Sequence, residues 1–123
     1  MNLWLLGSGV ALLLLTLVHI FPGGREIHRP MVGSQWPEPE KAVWSAVWHI
    51  TTAVMLFGGL ALAVAAFHPD LALSLSAVPL AVSGSATLLF VAYGQSRLGS
   101  LRILPQWIPF SVITLLGAVG LLA

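Results

Sequence analysis

The chain has 123 residues, of which 58% are hydrophobic and only 7% carry a charge, whereas soluble domains average about 25% charged residues. A water-soluble surface does not tolerate so many apolar side chains, so the composition excludes an ordinary soluble domain. The net charge of +1 and the lack of any basic run exclude a nucleic acid as partner. The chain has no cysteine, which excludes disulfides, thiolate metal sites and a cysteine nucleophile.

Four stretches of the chain are free of Asp, Glu, Lys and Arg: residues 1–24, 42–69, 71–96 and 103–123. Each reaches the roughly 20 residues that a helix needs to cross a bilayer. They predict an all-α fold, a bundle of four transmembrane helices in antiparallel up-down-up-down order, forming one transmembrane domain over residues 1–123. We expect the helices near residues 2–20, 42–67, 71–93 and 106–123.

The first predicted helix is Leu-rich and is expected to end at Ile20, because Pro22 and the Gly23-Gly24 pair that follow are typical helix breakers. No Lys or Arg precedes its apolar run, which favours a membrane helix over a cleaved signal peptide. Residues 21–41 are then expected to form a connection rich in Pro, Gly and charge.

The remaining helices and connections are predicted from the charge-free stretches and the residues between them. The second helix is expected to begin after Lys41, and residues 68–70 to form a tight turn between antiparallel neighbours. Residues 94–105 are expected to connect the third helix to the last one. Small residues permit close helix packing in lipid, so Gly59, Ala63 and Gly84 are predicted packing positions.

This arrangement places every basic residue on one side of the membrane. By the positive-inside rule that side is cytoplasmic, so both termini are predicted to be periplasmic in a bacterial inner membrane. Most tryptophans, which favour membrane interfaces, fall near the same side. The basic residues are Arg25, Arg29, Lys41, Arg97 and Arg102, and the tryptophans are Trp36, Trp44, Trp48 and Trp107.

Polar side chains are expected to meet at this basic end of the bundle. Unpaired polar groups near hydrocarbon cost several kcal/mol unless they find each other or water. We therefore predict that His19, Glu26, Arg29, His49 and Gln106 converge there as a ligand site, with Trp107 beside Gln106.

The histidines allow a second interpretation. His19 and His49 are candidate axial ligands for haem, and with Glu26 and His28 they form a candidate transition-metal site. No H-x-x-x-H spacing places two ligands on one helix face. The alternatives are an acid–base role, or imidazoles that are hydrogen-bonded to Glu26, Gln106 or a backbone carbonyl.

The arginines at this end also have two interpretations. Glu26 and Arg29 are three residues apart, the spacing of an ion pair on a helical turn. Alternatively Arg29, with Arg97 and Arg102, binds an anionic lipid headgroup, as basic pockets at cytoplasmic helix ends do.

Three short motifs carry a resemblance: Gly23-Gly24-x-Glu26-Ile27-x-Arg29-Pro30, Trp48-His49, and Pro105-Gln106-Trp107. With them the chain resembles, over its whole length, a group of small four-helix bacterial membrane proteins. The resemblance implies the four-helix architecture and the importance of the residues at the basic end. It implies no activity.

Three classes of function remain open at this point. The first is a small membrane binding or accessory protein that holds a lipid, a small ligand or a partner, whether another membrane subunit or a second copy of the chain. The second is a metal- or haem-binding membrane protein, such as an oxidoreductase built on His19 and His49. The third is a channel or transporter, which the lack of a mid-membrane charge disfavours. Whether the chain is an enzyme stays open.

Overall fold

The computed structural model describes all 123 residues and is all-helical, with four helices and no strands. Helix α1 is Leu3–Val18, and it continues without a break into a π-helical segment, His19–His28, and a last α turn, Arg29–Val32. Helix α2 is Glu38–Ala65. Helix α3 is Ala72–Leu98, preceded by a 3₁₀ turn at Pro69–Leu71, and helix α4 is Trp107–Leu122.

The largest difference from the sequence-based expectation is the end of the first helix. The sequence predicted an end at Ile20 and a loop over residues 21–41, but the chain stays helical to Val32 and the connection is confined to residues 33–37. Pro22 has no N–H, and its ring clashes with the carbonyl four residues earlier in an α-helix. Winding the helix more widely relieves that clash, because π hydrogen bonds skip one more residue, as the bond from the Arg29 N–H to the Gly24 carbonyl does.

The four helices form an antiparallel ring in which each helix contacts its two neighbours: α1 lies between α2 and α4, and α3 closes the ring between them. Asn2 forms hydrogen bonds at three helix ends: the start of α1, the end of α2 and the end of α4. Its side-chain oxygen accepts hydrogen bonds from the Trp4 and Leu5 amides and caps α1. Its Nδ2 donates to the Gly120 carbonyl at 2.6 Å, and its backbone N–H donates to the Ala66 carbonyl at 2.7 Å.

Glycines set how closely the helices approach. A Cβ on Gly9 of α1 would lie 2.7 Å from the Ala63 nitrogen and 2.8 Å from the Gly59 carbonyl oxygen, both backbone atoms of α2. The predicted packing role of Gly59 and Ala63 is therefore confirmed, with Gly9 as their partner. On the other side of the ring, a Cβ on Gly120 would lie 2.8 Å from the Leu5 side chain.

The outer surface of the bundle is apolar on all four helices, where large side chains such as Leu14, Phe57, Leu88 and Leu115 are exposed. Three helical segments are long and apolar enough to cross a membrane: Leu3–Val32, Glu38–Ala65 and Pro69–Leu98. Helix α4 is apolar too, but shorter at 16 residues. Such a surface is compatible with an integral membrane protein and unsuited to water.

The antiparallel order gathers the charged residues at one end of the bundle, called the basic end below. It is formed by the π segment of α1, the start of α2, the end of α3 and the start of α4. All five Lys and Arg residues lie there, and of the ionisable side chains only His68 and Asp70 lie at the opposite end.

Candidate functional site

The π segment brings two histidines onto one face of the helix. His19 and His28 are nine residues apart, which is two and a half turns at 3.6 residues per turn, so an α-helix would place them on opposite faces. With i→i+5 hydrogen bonds a turn holds roughly 4.4 residues, and nine residues then make about two full turns. The wider winding is thus the reason that both imidazoles face α2.

Both imidazoles meet the same side chain on α2, the indole of Trp48. His19 stacks on it with ring centroids 3.9 Å apart and planes inclined by 18°. His28 stacks on it at 5.3 Å and 29°. Gly23 lies between the two histidines in sequence, and a Cβ there would come within 3.2 Å of the indole edge. The glycine therefore makes room for the Trp48 ring.

Hydrogen bonds fix the two histidines further. His19 Nε2 lies 3.4 Å from the Trp48 carbonyl oxygen. Because a carbonyl only accepts, this ring donates when its proton is on Nε2. His28 Nε2 lies 3.1 Å from the Ser45 hydroxyl, and its ring meets His49 edge-on, with centroids 5.5 Å apart.

An open cleft of about 370 Å³ lies beside this cluster, between the π segment and α2. Its charged and titratable lining consists of two guanidinium groups and two imidazoles, and no carboxylate lines it. The only salt bridge of the protein joins Glu38 to Lys41 at 2.8 Å, so neither arginine of the cleft has an acidic partner. The cleft is lined by Ile20, Phe21, Gly24, Arg25, His28, Arg29, Trp48, His49 and Thr52.

The structure brings some of the predicted ligand-site residues together and leaves others apart. Arg29 and His49 line the cleft, whereas His19 stacks on Trp48 and is not part of the lining. Glu26 is exposed and makes no hydrogen bond or ion pair. The expected Glu26–Arg29 ion pair is therefore not formed, because residues three apart do not share a face when a turn holds more than four residues.

The remaining predicted residues lie outside the cleft. Gln106 precedes α4, and its buried Oε1 has no hydrogen-bond partner. Trp107 donates from Nε1 to the Leu101 carbonyl at 3.2 Å, which fixes the connection before α4. Arg97 and Arg102 are exposed at the end of α3 and in that connection, so they share the basic end with Arg29 but not its cleft.

The histidines do not assemble a metal site. No group of three or more His, Asp or Glu side chains is close enough to hold a metal ion, so the proposed set of His19, His49, Glu26 and His28 does not converge. The ring of His49 packs edge-on against that of His28, whereas Nε2 of His19 lies 3.4 Å from the Trp48 carbonyl oxygen. The residues present therefore do not fit the four-ligand metal interpretation. The haem interpretation, which needs only His19 and His49, stays a prediction.

Three lining residues with polar side-chain atoms belonged to none of the predicted sites: Arg25, Trp48 and Thr52. Thr52 donates from Oγ1 to the same Trp48 carbonyl that His19 approaches, at 3.0 Å. The i, i+4 spacing of Trp48 and Thr52 is readable from the sequence. Arg25 was expected in a loop, because the first helix was predicted to end at Ile20. Only a helix that continues through Pro22 places Arg25 beside α2.

No protein-family model, curated protein or solved structure matches this chain. The class that the fold defines is thus a small all-helical bundle with membrane-compatible helices, and the assignment of function depends on the chain's own residues.

Proposed function

We propose that the chain is a four-pass integral membrane protein of the binding or accessory class, whose cleft holds an anionic group bearing phosphate-type oxygens. The observation that carries the proposal is the cleft lined by Arg25, Arg29, His28 and His49 without a single carboxylate. Arginine in particular matches the geometry of phosphate oxygens, with several N–H donors in one plane.

The depth of the cleft fits a lipid headgroup. Helix α2 has 28 residues and is about 42 Å long, more than the roughly 30 Å of hydrocarbon in a bilayer. Thirty Å counted back from Ala65 ends near Ser45, so His49 would lie about 6 Å inside that boundary. The cleft then straddles the level where phosphate groups meet acyl chains.

The fourth crossing is part of the same proposal. Helix α4 is about 24 Å long, somewhat short for a full span, but Pro105 and Gln106 before it and Ala123 after it extend its reach. It packs on α1 along its length, from the Gly120 contact with Leu5 to the hydrogen bond of Ser8 Oγ with the Ile113 carbonyl at 2.8 Å. We place the basic end in the cytoplasm of a bacterial cell, with both termini periplasmic.

Binding, without catalysis, is the function that this lining supports best. The imidazoles of His28 and His49 can exchange a proton, but covalent catalysis also needs a nucleophile for such a base to activate. The single hydroxyl in the cleft, that of Thr52, already donates to the Trp48 carbonyl. Anion binding at an interface also suits a subunit that docks on another membrane protein or on its own copy.

The test is selective retention of an anionic lipid. The purified protein would be placed in micelles with equal amounts of phosphatidic acid and phosphatidylcholine of the same chains, and bound lipid counted by native mass spectrometry. We expect preferential retention of phosphatidic acid. Replacing both Arg25 and Arg29 with Gln should weaken it roughly 10- to 30-fold, since each arginine near a membrane surface contributes about 1 kcal/mol.

The double variant Arg97→Gln and Arg102→Gln is the matched control, because it removes the same charge from the same end outside the cleft. Retention that falls equally in both double variants would assign the effect to the overall charge and contradict the cleft. Added inorganic phosphate distinguishes two sources of the anion: displacement of the lipid means that the phosphate group alone is recognised.

A further inference from the structure

A second, apolar groove lies next to the cleft on α2: Thr52 lines the cleft and the following residue, Ala53, lines the groove, although the two share no lining residue. Residues four apart on a helix form one ridge. The ridge that begins at His49, in the cleft, continues through Ala53, Phe57 and Ala61, and all three of these line a second cavity of about 460 Å³ between α2 and α3.

This groove is apolar throughout. Its α3 wall consists of Leu75, Val78, Pro79 and Val82, and no charged or polar side chain lines it. Small residues on α2 leave the space open. Among them Gly58 has no side chain, and a Cβ there would already lie 3.4 Å from the Pro79 ring.

The dimensions of the groove match one acyl chain. From Ala53 to Ala61 the helix rises about 12 Å, and half of a bilayer's hydrocarbon core is about 15 Å. The direction matches too, because α2 runs from the basic end towards the opposite end. A phospholipid with its phosphate in the cleft therefore has its chain directed down the groove.

We infer that the cleft and the α2–α3 groove form one binding site for a single anionic phospholipid, with the headgroup at Arg25 and Arg29 and one acyl chain along Ala53, Phe57 and Ala61. The inference rests on the proposed function, which it deepens by naming a lipid as the ligand in place of a free anion. The positive charge of the cleft selects an anionic headgroup, and the apolar groove indicates that the ligand carries an acyl chain.

The experiment uses a phosphatidic acid that carries a photoreactive diazirine in the middle of one acyl chain, with a phosphatidylcholine that carries the same chain as control. Both are mixed with the full-length protein in nanodiscs, and the cross-linked residues are identified by mass spectrometry. For the anionic lipid we expect cross-links concentrated on the groove residues of α2 and α3. For the neutral lipid we expect cross-links spread over the exposed faces of all four helices.

Two matched variants make the test specific. Ala61→Phe fills the groove and should lower the anionic cross-links there several-fold, whereas Leu60→Phe, one residue away and outside the groove, should not. Replacing both Arg25 and Arg29 with Gln should convert the anionic pattern into the neutral one.

The two proposals fail differently. If phosphatidic acid is still retained selectively through Arg25 and Arg29 but its cross-links match those of the neutral lipid, the groove inference is overturned and the cleft stands. An equal effect of Ala61→Phe and Leu60→Phe likewise overturns the groove alone. If selectivity for the anionic headgroup is absent in the unmodified protein, the proposed function itself is overturned.

Discussion

The imidazole of His19 lies flat against the indole of Trp48, with ring centroids 3.9 Å apart and planes inclined by 18°. Stacked aromatic pairs are worth about 0.5–1.5 kcal/mol beyond their buried area. Here the stacking also sets the position of the Trp48 ring, one wall of the cleft. The same contact therefore contributes both to stability and to the shape of the cleft.

The first prediction compares two adjacent glycines of the π segment. Replacing either with Ala lowers the entropy of the unfolded chain, a gain of about 0.4–1 kcal/mol where the space allows it. A Cβ on Gly24 meets nothing within 4 Å, whereas one on Gly23 comes within 3.2 Å of the Trp48 indole. We expect Gly24→Ala to stabilise the protein and Gly23→Ala to lose that gain, measured as unfolding in detergent.

Gly23→Val extends the comparison, because a branched side chain has to displace the Trp48 ring. Its cost should exceed that of Gly23→Ala and should be accompanied by a change in tryptophan fluorescence. Equal stability of Gly23→Ala and Gly24→Ala would mean that the indole does not pack against Gly23.

Much of the fold was predictable from the sequence, because a bilayer demands long apolar helices and the charge-free stretches mark them directly. The candidate site was less predictable from the sequence than the fold. Arg29 and His49 were expected at the basic end and do share the cleft, but the partner of His49 was expected to be His19 and is His28. The α-helical period of 3.6 puts His19 and His28 on opposite faces, so only the π winding reveals their common contact.

The second prediction ranks glycines by the space beside them. The sequence predicted both Gly59 and Gly84 to be positions of close helix packing. In the structure a Cβ on Gly59 would lie 2.8 Å from Leu13, whereas one on Gly84 would meet its nearest neighbour, Thr114, at an ordinary 3.6 Å. We expect Gly59→Ala to cost about 1–3 kcal/mol through overpacking and Gly84→Ala to cost little, measured as unfolding in detergent. Similar costs at both positions would contradict the close approach of α1 and α2.

The third prediction concerns the cap at Asn2, whose side chain both caps α1 and donates to Gly120. Asn2→Ser keeps an oxygen for the cap but cannot reach the Gly120 carbonyl, and Asn2→Ala removes both interactions. Stability should therefore fall in the order Asn, Ser, Ala. Each lost interaction should cost about 1 kcal/mol. If Ser and Ala are equally destabilising, the cap contributes nothing.

The fourth prediction concerns orientation. With the basic end in the cytoplasm, a reporter that is active only in the periplasm should be active when fused after Ala123. A fusion after Gly99, in the connection between α3 and α4, is the matched control and should be inactive. Activity of the Gly99 fusion without activity of the Ala123 fusion would reverse the orientation and place the cleft on the periplasmic side.

The fifth prediction addresses the cause of the π winding. If Pro22 prevents an α-helix here, Pro22→Ala makes the i→i+4 hydrogen bonds available again and allows the segment to rewind. Rewinding would turn His28 by about half a turn relative to His19 and away from Ser45, whose hydroxyl lies 3.1 Å from its Nε2. Pro30→Ala is the matched control, since Pro30 lies beyond His28 and therefore outside the stretch between the two histidines whose winding is tested.

The natural chain has no cysteine, so a pair of cysteines introduced by His28→Cys and Ser45→Cys is the only thiol pair present. A short bifunctional thiol reagent should cross-link this pair in the otherwise unchanged protein. It should do so equally in the control variant Pro30→Ala. In the Pro22→Ala background the yield should fall sharply, and binding of phosphatidic acid should fall with it, because Arg25 and Arg29 turn together with His28. Unchanged cross-linking after Pro22→Ala would show that the proline does not set the winding, and that the packing of Gly23 against Trp48 holds the π segment by itself.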